Sequence, residues 1–225
     1  REYRLDCVTD VPTGVDTSYF VPSGNEKAEP FNLVFTGSMD WLPNEDAIRY
    51  FVDQILPLVR TRVPQVTLTV VGRNPHSRLV ELAKRDASIG VTGRVEDVRP
   101  YMERASAFIV PLRIGGGTRL KIYEAMAMEK PVISTSIGAE GLPLRDGCEL
   151  LIADTPGEFA EKVVRVISNE ALANEFGRRA ASTVREHFGW QPVAETFADI
   201  CREAIERSRF RRTATETAEA LRTAV

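Results

Sequence analysis

The sequence is poor in cysteine and histidine. Its 225 residues include 3 cysteines, Cys7, Cys148 and Cys201, and 2 histidines, His76 and His187. The cysteines are too few and too widely spaced for a multi-bridge disulfide framework. Neither CxxC nor HExxH spacing occurs, so a disulfide-rich domain and a standard zinc motif are excluded. We therefore expect no bound metal and a reducing, cytoplasmic compartment.

Excess basic charge and long apolar runs are also lacking. Lys plus Arg total 29 against 32 for Asp plus Glu, a net charge of −3, whereas nucleic-acid binders usually carry a basic excess. No stretch approaches the roughly 20 apolar residues of a membrane-spanning helix. We expect no nucleic-acid partner and at most a peripheral contact with the inner face of a membrane. The candidate for that contact is a weak basic patch of Arg207, Arg209, Arg211 and Arg212.

What remains alternates short β-branched apolar runs with longer amphipathic stretches. Strands are predicted over residues 31–36, 66–71, 89–92, 107–110, 131–135 and 149–152, and helices over residues 45–62, 77–87, 97–104, 119–128, 156–169, 170–186 and 191–222. Short apolar strands separated by helices are typical of a parallel sheet covered on both faces. The pattern predicts an α/β fold with a doubly wound parallel sheet, which binds ligands at the carboxyl ends of its strands.

Several residues have predicted structural roles. Asn44 is expected to cap the first helix and Pro57 to bend it near its end. His76 is expected at a helix start, with no acid–base partner nearby. His187 and Trp190 are expected to pack the last helix against the domain.

The strongest local signal is a glycine-rich loop between a predicted strand and a predicted helix. The loop contains Gly115, Gly116, Gly117 and Thr118. Glycines let the backbone approach a ligand, and a helix start offers unpaired N–H groups and partial positive charge, so an anion site is indicated. Thr118 is predicted to cap the helix or bind a phosphate oxygen. The cations nearby in the chain are Arg113, Arg119 and Lys121. A plain flexible turn is the alternative.

Glu124 follows in the same predicted helix, among small and apolar residues. A carboxylate beside a phosphate site can accept hydrogen bonds from ribose hydroxyls, and the alternative is a solvated glutamate on a helix face. Neither the Walker pattern GxxxxGK[ST] nor GxGxxG after the first strand occurs, so the two common nucleotide-binding loops are not indicated.

Several short motifs occur in a characteristic order. They are Val11-Pro-Thr-Gly-Val-Asp16 with Phe20-Val-Pro22, Phe35-Thr-Gly-Ser-Met-Asp40, Val70-Val-Gly72, Val91-Thr-Gly-Arg-Val-Glu-Asp97, Glu124-Ala-Met-Ala127 with Lys130-Pro-Val-Ile133, and His187-Phe-Gly-Trp190. Over residues 8–205 the chain resembles retaining nucleotide-sugar glycosyltransferases of family four. That family has two Rossmann-like domains facing a cleft, the GT-B architecture, and this chain is similar to its C-terminal domain.

The resemblance implies a division of the chain and a function. It implies an interdomain linker over residues 1–30, a Rossmann-like donor-binding domain over residues 31–190, and a C-terminal helix over residues 191–225. The implied enzyme transfers a sugar from a UDP-, GDP- or ADP-sugar to a carbohydrate or lipid-linked acceptor in glycan or glycolipid biosynthesis, without cofactor or metal. The acceptor domain would lie in an N-terminal part of a longer protein, and this part alone would be inactive.

The resemblance also assigns site residues. Glu124 corresponds to the glutamate that holds the ribose, and with Lys121 it forms the expected catalytic pair. Arg94 and Val95 match the stretch that lines the base. The other expected donor-binding residues are Gly37, Ser38, Gly72, Arg113, Gly115, Gly116, Gly117, Thr118 and Arg119.

Two departures from the family pattern stand out. Gly116 occupies the position where the family often has a glutamate that contacts the donor sugar. Ser38, and Pro43 or Asn44, occupy positions where an arginine and a lysine commonly neutralise the diphosphate. The charge must then come from Lys121, Arg119 or Arg113. An epimerase-like nucleotide-sugar enzyme and a non-enzymatic domain that binds a phosphate ligand remain the alternatives.

Overall fold

A six-stranded parallel sheet forms the centre of the domain. The computed structural model describes the backbone of residues 8–223 and the side chains of residues 8–208. The strands are β1 (Asn32–Thr36), β2 (Thr67–Val71), β3 (Ile89–Val91), β4 (Ala107–Val110), β5 (Val132–Ser134) and β6 (Leu151–Ile152), in the order β3-β2-β1-β4-β5-β6. The chain runs outward from β1 in one direction and from β4 in the other, so the predicted doubly wound sheet is confirmed.

Helices cover both faces of this sheet. They are α1 (Leu42–Tyr50), a π-helical segment (Phe51–Ile55), α2 (Leu56–Arg62), α3 (Ser77–Arg85), α4 (Arg99–Arg104), α5 (Leu120–Ala127), α6 (Pro156–Ile167), α7 (Glu170–His187) and α8 (Trp190–Thr223). Connections between parallel strands are right-handed in almost all proteins, and with this strand order that rule puts α1 to α3 on one face and α4 and α5 on the other. α6 packs against α2, and α7 packs against α5. The central strands β1 and β4 are buried at every residue, which explains the apolar run of β4 and of the three middle residues of β1; the end residues of β1, Asn32 and Thr36, are buried polar side chains.

The structure confirms one of two predictions about the first helix and contradicts the other. Pro57 lacks the N–H that an α-helix requires, and the chain widens into the π-helical segment just before it, so the predicted irregularity is confirmed. The prediction that Asn44 caps the helix is wrong. α1 begins at Leu42 with Trp41 in the N-cap position, so Asn44 lies inside the first turn, where its side chain contacts the Ser38 carbonyl and Lys121.

The described part of the predicted linker packs closely against α4. The Arg99 guanidinium lies 3.8 Å from the centre of the Tyr19 ring. The Glu103 carboxylate accepts hydrogen bonds from the Ser23 hydroxyl at 2.7 Å and the Gly24 N–H at 2.6 Å. These contacts attach this segment to the domain.

The C-terminal region corrects another expectation. His76 lies at the start of α3 as predicted, in the N-cap position, where its side chain accepts a hydrogen bond from the Arg78 N–H. Trp190, however, is 68% exposed, and the ring that packs inward is Phe188, stacked on Tyr123 at 4.6 Å. Cys7 and the side chains of residues 209, 211 and 212 lie outside the described residues. Among residues 8–223, no helix has the length and apolar character needed to cross a bilayer.

Candidate functional site

The loops that follow β1 and β2 touch at the carboxyl edge of the sheet. The Gly37 N–H donates to the Val71 carbonyl at 2.9 Å. A Cβ atom at position 72 would lie 1.8 Å from the Gly37 carbonyl oxygen, so only glycine fits there. The two strand-ending glycines predicted from the sequence therefore form one continuous backbone surface.

Lys121 reaches this surface from α5. Its Nζ donates to Asn44 Oδ1 at 2.9 Å and lies 4.1 Å from the centre of the Phe35 ring. A Cβ atom at Gly37 would lie 2.8 Å from the same Nζ, so the ammonium occupies space that a side chain would need. Burial lowers the pKa of Lys121 to about 7, against the opposing effect of the nearby Glu124 carboxylate.

Glu124 lies one turn further along α5 and is half-buried. Burial raises the pKa of its carboxyl group, and the charge of Lys121 acts in the opposite direction. Among the side chains of residues 8–208, its carboxylate has no hydrogen-bond or ion-pair partner. This residue is thus not a solvated glutamate on an outer helix face, and its oxygens keep their full capacity to accept hydrogen bonds.

The glycine-rich loop is closed by a side chain that follows it in the chain. Gly115 has φ 121° and Gly117 has φ 85°, backbone conformations that favour glycine. The Arg119 Nη1 donates to the carbonyls of Gly116 and Gly117, the latter at 2.6 Å. Arg119 therefore holds the loop in shape with its own guanidinium.

The predicted cap of the next helix is wrong. α5 begins at Leu120 with Arg119, rather than Thr118, in the N-cap position, and no side chain caps its first turn. Thr118 is exposed, and its Oγ1 lies 3.4 Å from the Thr13 hydroxyl. The positive φ of Gly117 turns the chain away before the helix starts, which keeps Thr118 outside the first turn. The helix start thus offers uncapped N–H groups at the carboxyl edge.

Arg113 is engaged on the other side of the loop. Its guanidinium donates to both oxygens of Asp46, at 2.6 and 3.0 Å, and stacks 4.5 Å from the centre of the Tyr50 ring. This pairing is the largest cause that lowers the pKa of Asp46, a buried carboxylate on α1. Arg113 anchors the start of the loop to α1, and the Asp46 carboxylate already neutralises the charge of its guanidinium.

Arg73 is a cation that the sequence analysis missed. It follows Gly72 directly, and its Nε donates to the Ser38 hydroxyl at 2.7 Å. Ser38 in turn donates to Asp40, which also accepts from Asn74 at 2.7 Å. A basic residue immediately after a strand-ending glycine was the available signal, because parallel strands end at the same edge.

Arg94 and Val95 follow β3, two strands away from β1. Arg94 is exposed, and Val95 is half-buried against the core. The structure brings Gly37, Ser38, Gly72, Lys121, Glu124 and the loop over residues 115–119 into one cluster, with Arg94 and Val95 further out along the same edge. This cluster combines close-approach glycines, an uncapped helix start, one buried amine and one unpaired carboxylate, a combination suited to an anion attached to a hydroxyl-bearing group.

Related sequences share this part of the chain. The family described as Glycosyl transferases group 1 matches residues 30–169. A D-inositol 3-phosphate glycosyltransferase of Paenarthrobacter aurescens is 27% identical over 220 residues, covering 89% of this chain and 53% of that protein. An uncharacterized 44.6 kDa protein in the cps region of Klebsiella pneumoniae is 27% identical over 180 residues, covering 76% of this chain and 45% of that protein. The chain spans about half the length of these curated relatives.

Solved structures share the fold. Sucrose-phosphate synthase from Thermosynechococcus elongatus superposes with a TM-score of 0.70 at 21% identity, covering 88% of this chain and 52% of that one. The C-terminal domain of a glycosyl transferase group 1 family protein from Francisella tularensis has a TM-score of 0.63 at 17% identity, covering 79% of this chain and 100% of that one. These likenesses show the domain fold of GT-B glycosyltransferases. The family match covers more than half of the residues of this chain, which therefore belongs to the group 1 glycosyl transferases.

Proposed function

We propose that this chain is the donor-binding half of a retaining glycosyltransferase of family four. The donor is a nucleotide diphosphate-sugar, with UDP, GDP or ADP as its nucleotide, and the acceptor is a carbohydrate or a lipid-linked glycan precursor. An N-terminal domain supplies the acceptor side, in the cytoplasm or at the inner membrane face. The observation that carries this proposal is the placement of Lys121 and Glu124 on one helix beside the glycine-lined edge.

The two side chains have separate tasks in this proposal. As the anomeric C–O bond breaks, its electron pair passes to the departing phosphate oxygen. The Lys121 ammonium and the uncapped N–H groups of α5 stabilise that growing charge. Removing one such group costs roughly 3 kcal/mol of barrier. Glu124 accepts hydrogen bonds from the ribose hydroxyls, and no metal or cofactor is required.

Structures of similar fold have been solved with such ligands. A variant of S. aureus TarM was crystallised with UDP, and so was Anabaena HepE, at TM-scores of 0.71 and 0.70. HepE was also solved with UDP and glucose. These complexes support a nucleotide-sugar donor for the present chain.

Calorimetry with UDP, GDP and ADP tests the proposal. Lys121→Met is expected to weaken binding of the preferred diphosphate and leave binding of its nucleoside unchanged. Glu124→Gln is expected to weaken both, since the ribose is common to both ligands. Lys84→Met on α3 and Glu161→Gln on α6 change exposed residues away from the site and serve as matched controls. If the folded chain binds none of the three nucleotides, the proposal fails.

Product analysis with the longer protein separates transfer from the alternatives. Sugar joined to an acceptor supports a glycosyltransferase, whereas an isomerised donor indicates an epimerase-like enzyme. Binding that ignores the nucleoside, with no product, indicates a non-enzymatic phosphate-binding domain.

A further inference from the structure

Asn44 joins two parts of the site through one side-chain amide. Its Nδ2 donates to the Ser38 carbonyl at 2.8 Å, and its Oδ1 accepts from Lys121 Nζ at 2.9 Å. The residue is only 7% exposed, so its side chain can adopt few other conformations. Asn44 therefore connects the loop after β1 with a cation from α5, 77 residues away in the chain.

The surroundings of Lys121 leave little else to orient it. Within residues 8–208, Asn44 Oδ1 is the hydrogen-bond acceptor of its Nζ. The Phe35 ring and the backbone of Gly37 also lie close, while Glu124 and Arg119 act on its charge without a hydrogen bond to it. A lysine stem is long and flexible, so without that acceptor the ammonium would sample several positions. An ammonium has three donors, and Asn44 uses one, which leaves two for an anion at the edge of the sheet.

The chemical identity of Asn44 matters as much as its position. An amide donates on one side and accepts on the other, as the Ser38 carbonyl and the Lys121 ammonium require. A carboxylate of the same shape would face the Ser38 carbonyl without a proton to donate, and it would neutralise the ammonium. We propose that Asn44 is a positioning residue that holds the Lys121 ammonium at the end of β1 while leaving its positive charge available to a diphosphate.

This inference rests on the proposed function, because the anion it names is the donor diphosphate. The charged groups that act on the ammonium are Glu124, from its own helix, and Arg119, from the N-cap position just before that helix. The loop after β1 and the adjoining helix α1 face it with Gly37 and Asn44, and β1 faces it with Phe35, all uncharged. Introducing a charge at position 44 therefore changes the electrostatics of this contact selectively.

Calorimetry on the full chain provides the test, with UDP, GDP, ADP, inorganic pyrophosphate and the matching nucleosides as probes. Asn44→Asp is expected to weaken binding of the preferred nucleoside diphosphate and of pyrophosphate about tenfold or more, because a charge-assisted contact is lost. Nucleoside binding is expected to stay unchanged. Asn174→Asp, at an exposed position on α7, is the matched control.

A second variant and a spectroscopic readout keep the result interpretable. Asn44→Ala, which introduces no buried charge, is expected to weaken diphosphate binding selectively. It is also expected to make the Lys121 side chain more mobile, which NMR measures as a lower order parameter of that side chain. Unchanged diphosphate affinity in both variants, or an equal loss of nucleoside affinity, would overturn the inference. If the parent chain binds no nucleotide, the proposed function fails, while the NMR comparison still decides whether Asn44 orders Lys121.

Discussion

Raising the pH above 7 is expected to weaken binding of a nucleoside diphosphate to this chain. Burial lowers the pKa of Lys121 from 10.5 to about 7, so the free protein loses this proton around neutrality. A bound diphosphate favours the ammonium and raises the pKa again. Binding then takes up a proton, and affinity falls as the free lysine becomes neutral.

The magnitude follows from the fraction of Lys121 that is protonated. With a pKa of about 7, roughly half of the free protein carries the ammonium at pH 7 and roughly 3% at pH 8.5. If only the charged form binds, affinity falls about 15-fold over this interval. The interval lies above the second pKa of a terminal phosphate, about 6, so the ligand keeps its charge.

Calorimetry in buffers of different ionisation enthalpy measures both the affinity and the proton uptake. We expect uptake approaching one proton at pH 8.5. Lys121→Met, which cannot titrate, is expected to bind more weakly at pH 7 with an affinity that stays constant to pH 8.5. The exposed-site variant Lys84→Met is expected to keep the parent's pH dependence.

The result that would refute this reasoning is a constant parent affinity from pH 7 to 8.5 without proton uptake. Lys121 would then either remain charged throughout or lie outside the binding site. An unchanged pH dependence in Lys121→Met would place the titrating group elsewhere.

Three further predictions concern stability. Lys121→Met is expected to raise the melting temperature, because a lysine whose pKa is lowered on folding destabilises the folded state. This destabilisation is complete below about pH 7 and disappears towards pH 10.5, so the gain in melting temperature should shrink over that interval. A gain that does not depend on pH would contradict this explanation. Glu129 has φ 59° and pairs with Arg185 at 3.0 Å. Glu129→Gly and Glu129→Ala both lose this pair, but only glycine adopts the left-handed backbone without strain, so the glycine variant should be more stable than the alanine variant in denaturant unfolding by about 1 kcal/mol. Equal stabilities would show that the conformation carries no strain. Gly72→Ala places a Cβ atom 1.8 Å from the Gly37 carbonyl oxygen, whereas a Cβ atom at Gly90 in β3 would lie 3.9 Å from its nearest neighbours. Gly72→Ala should therefore lower the melting temperature and abolish nucleotide binding, and Gly90→Ala should do neither. Full nucleotide binding by Gly72→Ala would disprove the contact between the two loops.

Much of the architecture was predictable because the relevant signals are local in the chain. A strand buried on both faces is mainly apolar, as are β4 and the three middle residues of β1. Glycines at the ends of predicted strands indicated the edge of the sheet at which doubly wound folds bind ligands, and the apolar neighbours of Glu124 argued against a fully exposed glutamate, which the structure shows half-buried. The order of these signals was sufficient to predict the doubly wound sheet and to place the candidate site.

The partners of Lys121 and Arg113 were decided by the tertiary structure alone. Lys121 meets Asn44 across 77 residues of chain, and Arg113 meets Asp46 across 67, so no local pattern distinguishes the lysine bonded to a neutral amide from the arginine paired with a carboxylate. Arg73 joined the site because β2 lies beside β1, and Trp190 is exposed because Phe188 packs in its place. Local periodicity determines which residues are buried, but a hydrogen bond depends on distances that arise only when separate strands and helices pack together.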